Sequence, residues 1–287
     1  MKDSKVKKEK WWIAEHHEEK AHHFLEALSP ISGLLGPAYL PGGWLYRGVG
    51  NDGYHLLPSA FRRGSVLLNK ALLYDAPLPT LGYQIKAELG TLTAFIEAAD
   101  RQGHTIPEDS QSLRRYLAGL DHLIILPAID DRRIPVWPDL TVLSALGLAQ
   151  HYRVPTRMLD WTLNPYIAAY FAASSAVSQI RVGNRLCIWA LLEDIVEFEE
   201  LFSDGGIQNN RLPLKLVTAP GAGNSNLKAQ RGVFLVYQQF DIDPSAEFVP
   251  QPYDELLVEN LKFLAHQEVV WVILAHFRGL AACRLGS

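Results

Sequence analysis

The chain has 287 residues, of which 48% are hydrophobic, 10% aromatic and 20% charged. This composition is typical of a globular protein and excludes wholesale disorder, and a formal net charge of −4 gives no chain-wide reason to expect nucleic-acid binding. Because the sequence has no apolar run of about 18 residues and no apolar signal-peptide core at its lysine-rich start, we expect a cytoplasmic protein with no membrane contact.

Helical patterns dominate the N-terminal half. A lysine-rich tail at 1–10 precedes a helical pattern from Trp11 to Leu28, and together they form a predicted N-terminal segment, residues 1–35. WLYRGVG then predicts a short strand, and HLLPSAFRRGS a strand or turn. Residues 84–102 repeat apolar side chains at helical spacing, as do SLRRYLAGLDHLI and LTVLSALGLAQHY, with a proline-rich loop from Pro127 to Pro138 between the last two.

Strand patterns dominate the C-terminal half. NRLCIWALL and GVFLVYQQF predict buried strands, and LKLVTA predicts a short strand inside a loop at 203–226. DELLVENLKFLA indicates a helix, and VVWVILAH a strand or a buried helix. Strands and helices do not alternate regularly, which favours an α+β fold over a doubly wound sheet. Without a repeat or a linker, the economical prediction is one domain over 36–287 with a helical insertion around 84–150.

Polar side chains crowd into HYRVPTRMLDW, residues 151–161, directly ahead of an apolar run. Pro155 disfavours helix at the residue before it, so the preceding helix should end near Tyr152. We expect an irregular connection from Thr156 to Thr162, leading into a helix with Asn164 as N-cap and Pro165 at its first position. A turn beside a helix N-terminus favours an anion. The alternative is an Arg157–Asp160 network that only fixes the loop.

Arg47 lies in the middle of a short apolar strand, and Gly48 follows it. A buried guanidinium needs a partner, and its planar fork suits a phosphate or a carboxylate. The glycine permits close approach of another backbone or a ligand. Two interpretations therefore stay open for Arg47, an anion-binding site and an ion pair with a core acid such as Asp160.

Two further residues have side chains suited to chemistry. Gln230 stands at a loop-to-strand junction ahead of GVFLV, where a side chain can reach a cleft from a rigid edge or simply cap a neighbour. His151 closes a predicted helix, and histidine titrates near neutral pH, as acid–base catalysis requires. We expect no metal site, because the early histidines look like a solvated face and the two cysteines lack metal-site spacing. These residues are His16, His17, His22, His23, Cys187 and Cys283.

Four stretches together resemble the FRG domain family: WLYRGVG, YHLLPSAFRR, LAQHYRVPTRMLDWTLNPYIAAYFAA and NLKAQRGVF. The family is named after a Phe-Arg-Gly whose place is taken here by Tyr46-Arg47-Gly48. The resemblance spans roughly residues 40–236, and its central segment is the most specific part.

The order of motifs is also similar to that of arginine-class ADP-ribosyltransferases. Those enzymes carry an arginine on an early strand, a polar Ser/Thr motif ahead of a helix, and an acidic residue near the start of a later strand. Arg47, Thr156 to Thr162 and Gln230 stand at the corresponding places. The resemblance implies a split mixed or antiparallel β-sheet core. Here a glutamine replaces the acid, and it supplies no negative charge to an oxocarbenium-like transition state. Either another acid, such as Asp160 or Glu88, does that work, or activity is modest, or the site only binds.

The resemblance implies an NAD-dependent ADP-ribosyltransferase-like toxin or anti-phage defence effector of bacteria. NAD is the expected substrate, and ADP-ribose would pass to a macromolecular target or to water; an antitoxin or sensor protein is a further expected partner. Arg47 would grip the pyrophosphate or the adjoining ribose, Asp160 would orient Arg47 or stabilise positive charge, and Gln230 would hold ribose hydroxyls. The other residues expected to bind the ligand are Gly48, Tyr54, Tyr152, Thr156, Arg157, Trp161 and Thr162.

Two alternatives remain open. The first is a nucleotide- or nucleic-acid-binding module without catalysis, which needs only Arg47, Arg157 and a helix N-terminus. The second is a metal-independent nuclease in which His151 and Asp160 act as acid and base.

Overall fold

The structure is a computed structural model that describes residues 7–10, 13–29, 31, 43–63, 65, 80–125, 133–178, 185–193, 214–218, 232–258 and 274–280. The strands are β1 (Lys7–Lys10), β2 (Ile13–Glu18), β3 (Trp44–Val49), β4 (Ile134–Trp137), β5 (Met158–Thr162), β6 (Arg185–Leu192), β7 (Leu214–Thr218), β8 (Gly232–Tyr237), β9 (Gln239–Ile242) and β10 (Leu274–Leu280). The helices are α1 (Ala21–Ala27), α2 (Leu81–Arg101), α3 (Gln111–Ile125), α4 (Leu140–His151), α5 (Pro165–Ser178) and α6 (253–258), and a 3-10 turn spans Ser59–Phe61.

The fold is α+β, as predicted, and centres on an eight-stranded sheet. The strand order is β1-β2-β10-β6-β3-β5-β8-β7, and β4 and β9 form a separate two-stranded sheet. Neighbouring strands run antiparallel except β2 and β10, which are parallel. β3 pairs with β6 over six residues but with β5 at a single position, Tyr46 opposite Thr162. The sheet is therefore weakly joined at its centre.

Three predicted helices, α2, α3 and α4, form one layer over the strands β5, β7 and β8. Ile85 and Leu92 of α2 are fully buried there with Leu146 of α4, Met158 of β5 and Phe234 of β8. This layer matches the predicted helices around 84–150. It covers the part of the sheet formed by β5, β8 and β7. No helix among the described residues is both long and apolar enough to cross a membrane.

Helix α5 packs on β3 and β6 at unusually close range. Its N-cap is Asn164, whose side chain accepts a hydrogen bond from the backbone N–H of Tyr166 at 2.9 Å, and Pro165 opens the helix, as predicted. A Cβ placed on Gly48 would lie 1.9 Å from the carbonyl oxygen of Ala168. The expectation that a backbone approaches Gly48 closely is confirmed, and only glycine permits this contact.

Several sequence-based expectations were wrong about local structure. The predicted helix from Trp11 to Leu28 is a strand, β2, followed by the short helix α1, and part of the expected frayed tail is β1. β2 is a strand because it pairs with β10, whose residues stand some 260 positions later in the chain. The predicted irregular connection from Thr156 to Thr162 is mostly β5, which β8 pairs along its whole length. The predicted loop ending at Pro138 contains β4, paired with β9.

Candidate functional site

A cavity of about 300 Å³ lies where β3 and β5 part. Beyond the single pair of Tyr46 and Thr162, the backbones of the two strands are not paired with each other. The cavity is lined by residues of β3, β5, β8 and α5, namely Tyr46, Arg47, Gly48, Asp160, Trp161, Thr162, Ile167, Ala168, Phe171, Ser175, Gly232, Val233 and Phe234. We call this space the cleft.

Arg47 is the cation of the cleft, and few of its N–H groups are satisfied. Its Nη1 donates to the backbone carbonyl of Asp160 at 2.5 Å and stands 3.8 Å from the carboxylate oxygen Oδ2 of the same residue. Its buried Nε has no hydrogen-bond partner in the described part of the chain. Burial lowers the pKa of Arg47, against the opposing effect of Asp160, and Arg62 lowers it further. The guanidinium is thus desolvated without a close counter-ion.

Asp160 lies at the mouth of the cleft, with 61% of its side chain exposed. Both of its carboxylate oxygens accept hydrogen bonds from Nε2 of Gln150, each at 3.2 Å. Leu159 and Trp161 on either side are buried, so the alternation of β5 places Asp160 on the opposite face of the strand. The interpretation that Arg47 pairs with Asp160 holds in part, because the close contact is to the carbonyl rather than the carboxylate.

Aromatic groups supply much of the remaining wall. Trp161 is 2% exposed, and its indole N–H has no hydrogen-bond partner among the described residues. Burial raises the pKa of Tyr46 to about 12, so its hydroxyl stays protonated at neutral pH. Phe171 and Phe234 line the cleft as well. An apolar aromatic wall with a few polar groups is typical of a small-molecule site.

Arg157 has a different role from the one expected. Its side chain is 1% exposed, and its Nε and Nη2 donate to the two carboxylate oxygens of Glu88 at 2.7 and 2.9 Å. The indole of Trp137 and the amide of Gln84 also donate to Glu88, at 3.1 and 3.0 Å. Arg157 further contacts Gln239 at 3.2 Å. This buried network, rather than an Arg157–Asp160 pair, fixes the start of β5, and neither Arg157 nor Glu88 lines the cleft.

Thr156 is also buried and stands one step behind the cleft. Its hydroxyl donates to Oε1 of Gln150 and accepts from the backbone N–H of Met158 at 3.1 Å. Its backbone N–H donates to the hydroxyl of Ser59 at 3.1 Å. Thr156 therefore reaches Asp160 only through Gln150, and it does not line the cleft.

The structure brings together five of the predicted site residues and places five others outside the cleft. Those that line the cleft are Arg47, Gly48, Asp160, Trp161 and Thr162. Tyr54, His151 and Tyr152 are not among the lining residues. His151 ends α4 with its ring against that of Tyr152, at a centroid distance of 5.6 Å. Gln230 lies outside the described residues, two positions before Gly232, which begins β8 and lines the cleft.

Sequence reasoning missed the most informative neighbour of Asp160, which is Gln150. A signal was present, since Gln150 is a polar residue in the last turn of an otherwise buried helix, immediately ahead of the polar segment. Among the described residues no group of three or more His, Cys, Asp or Glu side chains is placed to hold a metal ion. Cys187 is buried, while Cys283 lies outside the described residues.

Comparison with known proteins identifies the part of the chain that builds this site. No curated protein and no solved structure matches the chain. A family model described as the FRG domain matches residues 42–180, a range that begins just before β3 and runs to the end of α5. The match thus includes Arg47 and Asp160 and ends before the further stretch, up to residue 236, for which the resemblance was also expected. The chain therefore contains an FRG domain, which supplies the β3, β5 and α5 walls of the cleft.

Proposed function

We propose that the cleft binds NAD and that the protein is an ADP-ribosyltransferase-like enzyme acting on it. The observation that carries the proposal is the state of Arg47, a buried cation with one close hydrogen bond and an unpartnered Nε. A largely desolvated charge whose nearest carboxylate oxygen is 3.8 Å away is costly to keep in a fold. That cost is relieved when an anion enters the cleft, so the arrangement favours binding of a phosphate group.

One edge of the guanidinium lacks hydrogen bonds, and because its Nε is buried the cleft must widen before a ligand contacts both nitrogens of that edge. Nη1 is engaged by the carbonyl of Asp160, while Nε and Nη2 make no hydrogen bond to the described residues. In a guanidinium, Nε–H and one Nη2–H point in parallel, which suits two oxygens of a phosphate. The pyrophosphate of NAD is the matching group. Hydrogen bonds to charged groups contribute about 1.5–3 kcal/mol each, so losing this contact would weaken binding measurably.

The remaining walls suit the nicotinamide nucleotide half. The ring of Phe171, which is 43% exposed, provides apolar surface for a planar ring. A cavity of about 300 Å³ stands at the lower end of the size range of small-molecule sites. It accommodates one nucleotide half, and the other half would extend past Asp160 into solvent.

The chemistry assigned to this pose is cleavage of the bond between the ribose carbon and the nicotinamide nitrogen. The electron pair of that bond leaves with the nitrogen, which gives neutral nicotinamide and positive charge on the ribose. The carboxylate of Asp160 would stabilise this charge from the mouth of the cleft. An oxygen or nitrogen of a macromolecular acceptor, or of water, then bonds to the ribose carbon and releases its proton.

Nicotinamide release tests the proposal directly. Purified protein is incubated with NAD, and free nicotinamide is followed by chromatography for the natural chain, R47M and R115M. Arg115 is a matched control, because it is exposed on α3 and donates only to a backbone carbonyl of its own helix, at 3.3 Å. We expect release by the natural chain and R115M and a loss of at least about 100-fold in R47M. Equal rates in all three proteins would refute the proposed site.

A second function, nucleotide binding without chemistry, is favoured by one specific observation. Asp160 is the acidic residue among the described residues that line the cleft, and its carboxylate is already engaged by Gln150. If NAD raises the melting temperature of the natural chain but not of R47M, and no nicotinamide appears, the binding module replaces the enzyme. The nuclease alternative lacks such support, because the side chain bonded to Asp160 is Gln150 and not His151.

The resemblance to ADP-ribosyltransferases also supports the biological setting proposed here, a bacterial toxin or anti-phage defence effector restrained by an antitoxin or sensor protein. Expression of the natural chain should then slow bacterial growth, while R47M expressed to the same level should not. Equal growth with both proteins would contradict the toxin role but leave the nicotinamide assay as the test of NAD chemistry.

A further inference from the structure

Gln150 lies outside the cleft but makes the closest side-chain contacts of the acid at its mouth. It belongs to the last turn of α4, and its Nε2 donates to both carboxylate oxygens of Asp160 at 3.2 Å and to the carbonyl of Met158 at 3.4 Å. The nearest charged side chain to that carboxylate among the described residues is Arg47, whose Nη1 lies 3.8 Å from Oδ2. Asp160 is therefore held from the helix layer by a neutral donor.

The orientation of the Gln150 amide is fixed by its neighbours. A carboxylate only accepts hydrogen bonds, so the amide must turn its NH₂ group towards Asp160. The amide oxygen then accepts from the hydroxyl of Thr156, whose own oxygen accepts from the backbone N–H of Met158. Ser59 in turn accepts from the backbone N–H of Thr156 and donates to its carbonyl. These hydrogen bonds connect the 3-10 turn at Ser59 to Asp160 at the mouth of the cleft. Each side chain along the way is held by at least one of them.

We propose that Gln150 is a positioning residue that holds the Asp160 carboxylate in place for the reaction at the cleft. This inference rests on the proposed function. Asp160 is largely exposed, and without Gln150 its side chain would be free to rotate into solvent, since only a 3.8 Å contact to Arg47 would remain. Charge stabilisation in an enzyme depends on groups that are already oriented before the reaction begins. Gln150 acts through Asp160 and does not itself touch the ligand.

A double-mutant cycle on nicotinamide release distinguishes positioning from a general structural role. The proteins are the natural chain, Q150M, D160N and the double variant, with Q102M as matched control, because Gln102 is an exposed glutamine just after α2. Methionine keeps the length of glutamine and removes its donor. We expect Q150M to lower kcat by about 10-fold with KM within about twofold, and to have no further effect in the D160N background. Q102M should leave both constants unchanged.

Partial unfolding would also lower kcat, so the cycle includes a count of binding sites by calorimetry with NAD. Positioning predicts one site per chain in Q150M, as in the natural chain. A reduced number of sites, or an equal loss of kcat in the natural and D160N backgrounds, would overturn the inference and assign Gln150 to stability alone. Full kcat in Q150M would overturn it while leaving the proposed function intact.

A measurement on the protein without ligand distinguishes failure of the proposed function from failure of the Gln150–Asp160 contact. The side-chain amide signal of Gln150 in a ¹⁵N spectrum is assigned by its loss in Q150M and then followed in D160N. We expect the signal to move in D160N, because the hydrogen-bond acceptor loses its charge. A natural chain that releases no nicotinamide but shows this movement refutes the NAD reaction and supports the hold on Asp160. If the signal does not move, the hydrogen bonds from Gln150 to Asp160 are absent and the inference is overturned.

Discussion

Two largely buried arginines, Arg47 on β3 and Arg157 just before β5, should respond differently to the same substitution. Arg157 donates to Glu88 through two nitrogens, and both side chains are almost completely buried. Arg47 makes one close hydrogen bond and keeps an unpartnered buried Nε. We therefore expect R157M to unfold readily and R47M to keep its stability, although both changes replace a buried guanidinium by the same thioether.

The magnitudes follow from the contacts that each substitution removes. R157M loses two charge-assisted hydrogen bonds, of 2.7 and 2.9 Å, and leaves Glu88 buried with only neutral donors from Gln84 and Trp137. Removing one partner of a buried ion pair costs about 3–5 kcal/mol. At about 2–4 °C per kcal/mol, the melting temperature should fall on the order of 6–20 °C. R47M loses one hydrogen bond but relieves a desolvated charge, so we expect a change within about 1 kcal/mol.

Urea unfolding of the natural chain, R47M and R157M, followed by circular dichroism, measures both effects. The slope of unfolding free energy against urea should be the same in all three proteins, so that midpoints report stability. If R47M loses as much stability as R157M, Arg47 is a structural residue, and the argument for an anion site in the cleft fails. If R157M loses less than about 1 kcal/mol, the buried network does not stabilise the fold in the way described.

Three further outcomes are expected. G48A should lose about 3 kcal/mol or more in urea unfolding, because its Cβ would meet a backbone carbonyl of α5 at 1.9 Å; a stability like that of the natural chain would contradict this packing. N164A should lose about 1 kcal/mol in the same assay through loss of the α5 N-cap, and no loss would deny that role. The hydrogen bond to Asp254 raises the pKa of His55, so the folded state binds the proton more tightly and this contribution is complete below about pH 6.5 and lost as pH rises through the raised pKa. The stability of the natural chain relative to H55Q should therefore decline as pH rises above about 6.5, and a pH-independent difference would refute the coupling.

Local signals in the sequence predicted the helices α2, α4 and α5 well. α2 has its apolar residues at helical spacing, and α5 has both a side-chain N-cap and a proline at its first position. Pro155 correctly marked the end of α4. These features act within a few residues of one another, so residues far away in the chain have little influence on where these helices begin and end.

Strand pairing and ion-pair partners could not be read in the same way. β2 has a polar sequence and is a strand because β1 and β10 pair with it. One alternative interpretation of the sequence paired Arg157 with Asp160, three residues away, but its partner Glu88 stands 69 residues earlier in the chain. A short spacing in sequence says little about which side chains meet once a strand alternates its faces, and β5 turns Asp160 to the opposite face from its neighbours.

The single residue pair between β3 and β5 has a mechanical consequence. β3 pairs with β6 over six residues and β5 with β8 over five, but β3 and β5 are joined by Tyr46 opposite Thr162 and by the hydrogen bond from Arg47 to the carbonyl of Asp160. A small separation of the two halves of the sheet would therefore break the pairing at one residue position and not along a whole strand. The width of the gap can adjust to its occupant while both halves keep their own internal pairing.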